Sequence, residues 1–276
     1  MRAHKPSEYL RMPSHLAYTL ALDHPPGALG HRNMAKFLVL SLLRTRFDGE
    51  IVVFKTSPAP LFMVPRAGVR EITIDPGEHG DEHFWNYAQS WKFRVHELLD
   101  VTGCDKVLYL DADCLALRNI NLLLKGDWDL AFYREPGSCA ADEGFNCFIS
   151  EEEAATLACN GVNGGVLAVA AGHFHEVMAE WQRIHFGPAQ RPKYFTDQAA
   201  LNRLVIDSGL RHRVFTREEV SAPFSHDPRA QDYLAAGLVH LAGSTDLHEK
   251  LRFMLGLYVS TFFFDPQATL LNILEI

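Results

Sequence analysis

The sequence predicts an α/β protein built as one domain, and three observations carry that prediction. Short apolar strands alternate with amphipathic helices through the first 110 residues and mix less regularly afterwards. The strand–helix–strand unit over 16–54 has the spacing of a parallel, right-handed crossover. The 276 residues, 47% of them hydrophobic, suffice for one large core, and no internal repeat or low-complexity linker divides them.

The elements follow in order. "LAYTLAL" (16–22) is a strand ending at Asp23 and the turn-rich "DHPPGALG". Over 31–47, Met34, Phe37, Leu38 and Leu42 recur at helical spacing, and Asp48-Gly49 stops the helix. "EIVVF" (50–54) and "REITI" (70–74) are strands, the second ended by Asp75-Pro76-Gly77. A helix over 86–100 stops before Gly103 and leads into the apolar strand 106–110. "DLAFYRE" (129–135) is a strand, and 136–161 is an irregular loop of small residues, acids and cysteines suited to facing a substrate. Strand 164–170, helices 173–186 and 196–207, "HRVF" (212–215) and "GLVHLAG" (237–243) complete the regular part, with Thr196 or Asp197 near an N-cap.

Composition narrows the function. A net charge of −8 argues against a generic nucleic-acid binder, which needs a basic surface. An anionic small substrate stays open if a metal supplies positive charge locally. Five cysteines, an odd number with no CxxC pair, fit free thiols in a reducing compartment. The first eighteen residues lack the apolar run of a signal peptide, and the apolar stretch 251–264 is too short to span a bilayer and contains Arg252. A cytoplasmic protein is expected, with peripheral membrane association open. Phe262, Phe263 and Phe264 suit the core, a homodimer surface or a lipid-linked acceptor.

Chemistry concentrates at the end of strand 106–110. Asp111 and Asp113 are two positions apart, so in an extended chain they share a side and repel unless a cation lies between them. Oxygen ligands suit Mg²⁺ or Mn²⁺ rather than zinc. A solvated acidic turn is the other reading of the same pair. Asp23 also ends a strand, and in open α/β sheets ligands collect beyond the carboxyl ends of strands.

In order along the chain, "YAQSWKFRVHELLD", "DKVLYLDADCLAL", "VNGGVLAV", "FTDQAALNRLV" and "LVHLAG" resemble the retaining glycosyltransferases of family 8, which include glycogenin and bacterial lipopolysaccharide galactosyl- and glucosyltransferases. The resemblance covers about 16–245, with the five blocks running from Tyr87 to Gly243, and "DKVLYLDAD" is the most specific. The resemblance implies a single domain of the GT-A type over 1–276. A Rossmann-like nucleotide-binding half covers about 16–135, the central sheet is mixed, and an irregular acceptor half covers about 136–276.

It also implies roles. Asp111 and Asp113 match the DxD that holds Mn²⁺ (or Mg²⁺) on the diphosphate of a nucleotide-sugar, with the intervening Ala112 at the donor. Lys92 matches a basic residue touching the donor, and Asn163 with Gly164 matches a segment reaching the donor sugar or the acceptor. Asp197 and Gln198 match an Asp-Gln pair beside the anomeric carbon, and His240 matches a histidine completing the metal's protein ligands. Gly243 matches a glycine near the phosphates, and Asp23 the nucleobase region. The implied partners are a UDP-hexose donor and a glycan, glycolipid or protein acceptor.

Two departures stand out. The family often continues from the histidine as H-x-x-G-x-x-K, yet position 246 is Asp and the next lysine is Lys250. "GG" follows Asn163 where "AG" is usual, which opens space near the sugar. Two other functions compete with the transferase. A sugar nucleotidyltransferase would need a Gly-rich basic loop that "DHPPGALGHRN" does not supply. Against an inactive nucleotide-sugar-binding protein stands the retention of the full DxD, Asp-Gln and His set.

Overall fold

A computed structural model describes residues 14–23, 30–75, 89–134, 149–150, 152–153, 161–187, 196–223, 233–242 and 246–263. Its strands are β1 (His15–Ala21), β2 (Gly49–Lys55), β3 (Val69–Thr73), β4 (Lys106–Leu110), β5 (Cys114–Ala116), β6 (Leu130–Arg134), β7 (Val162–Ala170), β8 (His212–Phe215), β9 (Val220–Ser221) and β10 (Leu238–His240). The longer helices are α1 (Gly30–Arg44), α2 (Phe174–Phe186), α3 (Thr196–Asp207) and α4 (Leu247–Phe262). Residues 89–94 are also helical and run into a 3₁₀ turn, Val95–Glu97.

A seven-stranded sheet in the order β3-β2-β1-β4-β7-β6-β8 forms the centre. β1 pairs in parallel with both β2 and β4, the arrangement a strand–helix–strand crossover requires. The sheet turns mixed at β7, which runs antiparallel to both β4 and β6. Alternate side chains split into two cores. Leu16, Tyr18, Phe54, Tyr109 and Phe132 join Phe174 and Trp181 of α2 on one face. Ala17, Val53, Leu108, Leu110 and Ala131 join Met34 and Leu38 of α1 and Met254 and Tyr258 of α4 on the other. Strands covered on both faces need apolar side chains at nearly every position, which is why "KVLYL" shows no polar alternation.

Several boundaries differ from the sequence reading. Helix α1 ends at Arg44 rather than 47, because Arg46 adopts a positive φ of 59° and breaks the helical path. β7 starts at Val162 rather than 164, so Asn163 lies inside the strand. The apolar stretch after 250 belongs to α4, which buries Met254, Leu257 and Tyr258, while Phe262 and Phe263 pack partly buried against the same core. Phe264 and nearly all of the loop 136–161 lie outside the described residues. The short strands β5, β9 and β10 form a separate sheet in the order β5-β10-β9. No described helix is long and apolar enough to cross a membrane.

Candidate active site

The reversal of β7 decides which residues meet. Because β7 is antiparallel to β4, with Leu110 opposite Val166, its first residues lie beside the last residues of β4. The Asp111 amide donates to the Gly165 carbonyl at 2.8 Å. Asn163 Oδ1 accepts the Gly165 amide at 2.9 Å, and Gln198 Oε1 accepts the Gly164 amide at 3.2 Å. Asn202, fully buried, clamps α3 to this strand: its Oδ1 accepts from the Val162 amide, and its Nδ2 donates to the carbonyls of Val162 and Gln198. The fully buried Trp181 donates from Nε1 to the Asp197 carbonyl at 2.7 Å, tethering the start of α3 to α2. Both devices satisfy backbone groups that burial would otherwise leave costly.

The small sheet supplies the other side. In the antiparallel ladder β5–β10, His240 lies opposite Cys114, and the Leu241 amide donates to the Asp113 carbonyl at 3.1 Å. His240 Nε2 then lies 3.3 Å from Asp113 Oδ1 and 3.6 Å from Asp111 Oδ2. Ligand atoms of Asp113, Cys114 and His240 all lie within 4.8 Å of one another. Gly165 is part of the cradle, since a Cβ there would overlap the His240 ring and sit 2.6 Å from Asp111 Oδ2. The close-set carboxylate, thiol and imidazole atoms of Asp113, Cys114 and His240 form a donor set of the kind that divalent cations use.

Two lysines reach the same carboxylates. Lys92, buried, places Nζ 2.8 Å from Asp197 Oδ2, 3.2 Å from Asp111 Oδ1 and 3.4 Å from the Gly164 carbonyl. Its backbone is fixed by Tyr18, whose hydroxyl donates to the Lys92 carbonyl at 2.7 Å. Lys250 Nζ lies 2.5 Å from Asp113 Oδ2. The Tyr109 hydroxyl donates to Asp111 Oδ1. Burial opposes the charged forms of Lys92, Asp111, Asp113 and His240, and their partners outweigh it. Asp111 is held low by Lys92 and His240, and Asp113 by Lys250 and His240. Lys92 is pushed up by Asp111 and Asp197, and His240 is raised to about 9, chiefly by Asp113. Formally, three carboxylates face two ammonium groups and one imidazolium.

The structure thus brings together Lys92, Asp111, Asp113, Asn163, Gly164, Asp197, Gln198 and His240, with Ala112 buried in the turn joining β4 to β5. Asp23 ends β1 with its amide donating to Thr56 Oγ1 at 3.0 Å. Its Oδ1 is buried without a hydrogen-bond partner among the described residues, and burial raises its carboxyl. Gly243 lies outside the described residues. Asp246, which stands where the family often has lysine, caps α4 by accepting the amides of His248 and Glu249.

Sequence reasoning missed Gly165, Tyr109, Asn202 and His31. His31, in the first turn of α1, is depressed by burial and feels the charges of Asp113, Lys250, Asp111 and Asp23. The glycine doublet and the asparagine four residues after Gln198 were available signals; nothing local marks His31 or Tyr109.

No protein-family model matches the sequence, and no curated protein does. Solved structures do match the fold. A galactosyltransferase, LgtC, in complex with donor and acceptor sugar analogs aligns with a TM-score of 0.58 at 15% identity, over 91% of this chain and 98% of its own. An active-site mutant of LgtC aligns with a TM-score of 0.59 at 15% identity, with the same coverage. The bifunctional glycosyltransferase WbbM in its apo form aligns with a TM-score of 0.61 at 15% identity, over 99% of this chain and 53% of its own. The chain therefore has the mixed α/β, GT-A type fold that the sequence predicted.

Proposed function

We propose that this protein is a metal-dependent glycosyltransferase that moves a hexose from a nucleotide-sugar, a UDP-hexose, to an acceptor hydroxyl with retention of configuration. The observation that supports it most is the Lys92 ammonium, held between Asp111 at the end of β4 and Asp197 at the start of α3. That contact joins the residues assigned to the diphosphate with those assigned to the sugar. One domain then serves both substrates, with the nucleotide on about 16–135 and the acceptor, a glycan, glycolipid or protein, on about 136–276.

Transfer breaks the bond between the anomeric carbon and the diphosphate oxygen, and the electron pair leaves with the diphosphate. The acceptor oxygen forms the new bond, and its proton passes to a phosphate oxygen of the leaving group, so no separate base is required. A divalent cation, Mn²⁺ or Mg²⁺, on Asp111, Asp113 and His240 supplies Lewis-acid stabilisation to the leaving diphosphate when bound. Lys92 adds a fixed positive charge, preorganised by two carboxylates and the Gly164 carbonyl. Asp197 and Gln198 are assigned to the positive charge developing at the anomeric carbon. Their backbone is held by Trp181 and Asn202, so neither has to reorganise as that charge appears.

The test is release of UDP from UDP-glucose, UDP-galactose and UDP-N-acetylglucosamine, with Mn²⁺ and with chelator. Metal-dependent release from one donor, abolished by Asp113→Ala, is expected. Absence of such release from every common donor would sink the transferase reading, and wild-type activity in Asp113→Ala would sink the metal assignment.

A further inference from the structure

Helix α4 carries a charge into the site from outside both sheets. Asp246 caps the helix through the amides of His248 (2.8 Å) and Glu249 (3.1 Å), and the Lys250 amide donates to the Asp246 carbonyl at 3.0 Å. An N-cap fixes where the first turn starts, and with it the direction in which residue 250 leaves the axis. That direction points into the site: Lys250 Nζ lies 2.5 Å from Asp113 Oδ2, with both side chains largely buried. The other oxygen of the same carboxylate lies 3.3 Å from His240 Nε2. Asp113 is therefore shared between the candidate metal group and a lysine.

The two lysines of the site are not equivalent. Lys92 is held by two carboxylates and a carbonyl, whereas Asp113 is the one side-chain partner of Lys250 among the described residues. A buried ammonium stripped of the carboxylate it pairs with is strongly unfavourable, so Lys250 leaves Asp113 only if another anion receives it. In a site that takes a nucleoside diphosphate, the diphosphate is that anion.

We propose that Lys250 is a tethered counter-charge that contends with a divalent cation for Asp113 and passes to the diphosphate when the nucleotide arrives. Metal and nucleotide then bind cooperatively through it. This inference rests on the transferase reading of the same site. Its logic is reciprocal: the nucleotide draws away the lysine that weakens metal binding, and the metal displaces the lysine toward the nucleotide by the same factor.

The experiment is calorimetric titration of Mn²⁺ into the full-length protein, alone and with saturating UDP, for wild type, Lys250→Met, Lys250→Gln and Lys250→Arg. In both neutral variants, Mn²⁺ alone should bind about tenfold tighter than in wild type, and the enhancement by UDP should shrink to a few-fold. Lys250→Arg should stay near wild type. Two neutral variants of different polarity keep the comparison available if one of them folds poorly. Unchanged or weaker Mn²⁺ binding in the neutral variants, or an undiminished UDP effect, overturns the inference. A wild-type protein that binds no Mn²⁺ with or without UDP instead overturns the metal assignment beneath it.

Discussion

The Lys92 ammonium lies 2.8 Å from Asp197 Oδ2 and inside the protein, tying the first turn of α3 to the strand end that carries Asp111. Lys92→Met would remove the ammonium that Asp197 and Asp111 share, leaving Asp111 with His240 as its cationic partner. Breaking a buried pair from one side costs about 3 kcal/mol or more, and losing a preorganised charge at a leaving group costs roughly 10²–10³ in rate. Chemical denaturation and UDP-release assays should register both losses. A variant with full stability would show that the bridge is not a structural tie.

Gly165→Ala should separate the site from the fold. Its new methyl group would enter the space between His240 and Asp111, whereas the methyl of Gly164→Ala would press on Asp197 Oδ2 at 3.3 Å, a contact small shifts can relieve. Gly165→Ala is expected to lose Mn²⁺ binding by calorimetry, and Gly164→Ala to keep it with altered donor-sugar preference.

Asn202→Leu removes the clamp between β7 and α3. Three backbone groups, on Val162 and Gln198, would lose their partner inside the core. The cost is about 2–4 kcal/mol. Because the clamp positions Gln198 without entering the site, kcat should fall more than the affinity for UDP. Equal falls in both would argue for general loosening instead.

Stability in chelator should depend on pH through His240. Its folded-state value of about 9 lies above the 6.5 of an unperturbed imidazole, so its ion pairs contribute fully below about pH 6.5. That contribution is lost as pH rises through 9 and amounts to about 3 kcal/mol at most. Urea titrations between pH 6 and 10 should show the decline in wild type and a flatter profile in His240→Gln. A wild-type profile that rises across that window would reverse the assigned direction.

The parts of the site visible in the sequence sit on long, strongly patterned elements. Asp111 stood out because an apolar strand ran straight into it, whereas Asp197, at the start of a twelve-residue helix, was singled out by the Asp-Gln pair that the family resemblance implies. Asn163 was noticed but misplaced, since its strand begins with Val162-Asn163-Gly164, which lacks a continuous apolar run. The three-residue strands β5 and β10 are too short to show a period, yet their pairing sets His240 against Asp113. Lys250 looked displaced because its role depends on where α4 starts, which the Asp246 cap determines only in three dimensions. Tyr109 and Asn202 have hydrogen-bond roles that depend on which strand and helix become neighbours, and no local pattern records that.

The β5–β10 ladder also has a kinetic meaning. Asp113 and Lys250 are separated by 137 positions, and His240 meets Asp113 across almost as long a span of chain. Contacts of such high sequence separation require closure of a long loop before they return any stabilisation, so they form late in folding. Cation affinity at Asp113 and His240 would then be the last property acquired during refolding. It would report completed tertiary assembly, while secondary structure in the β1–α1–β2 region would be in place well before it.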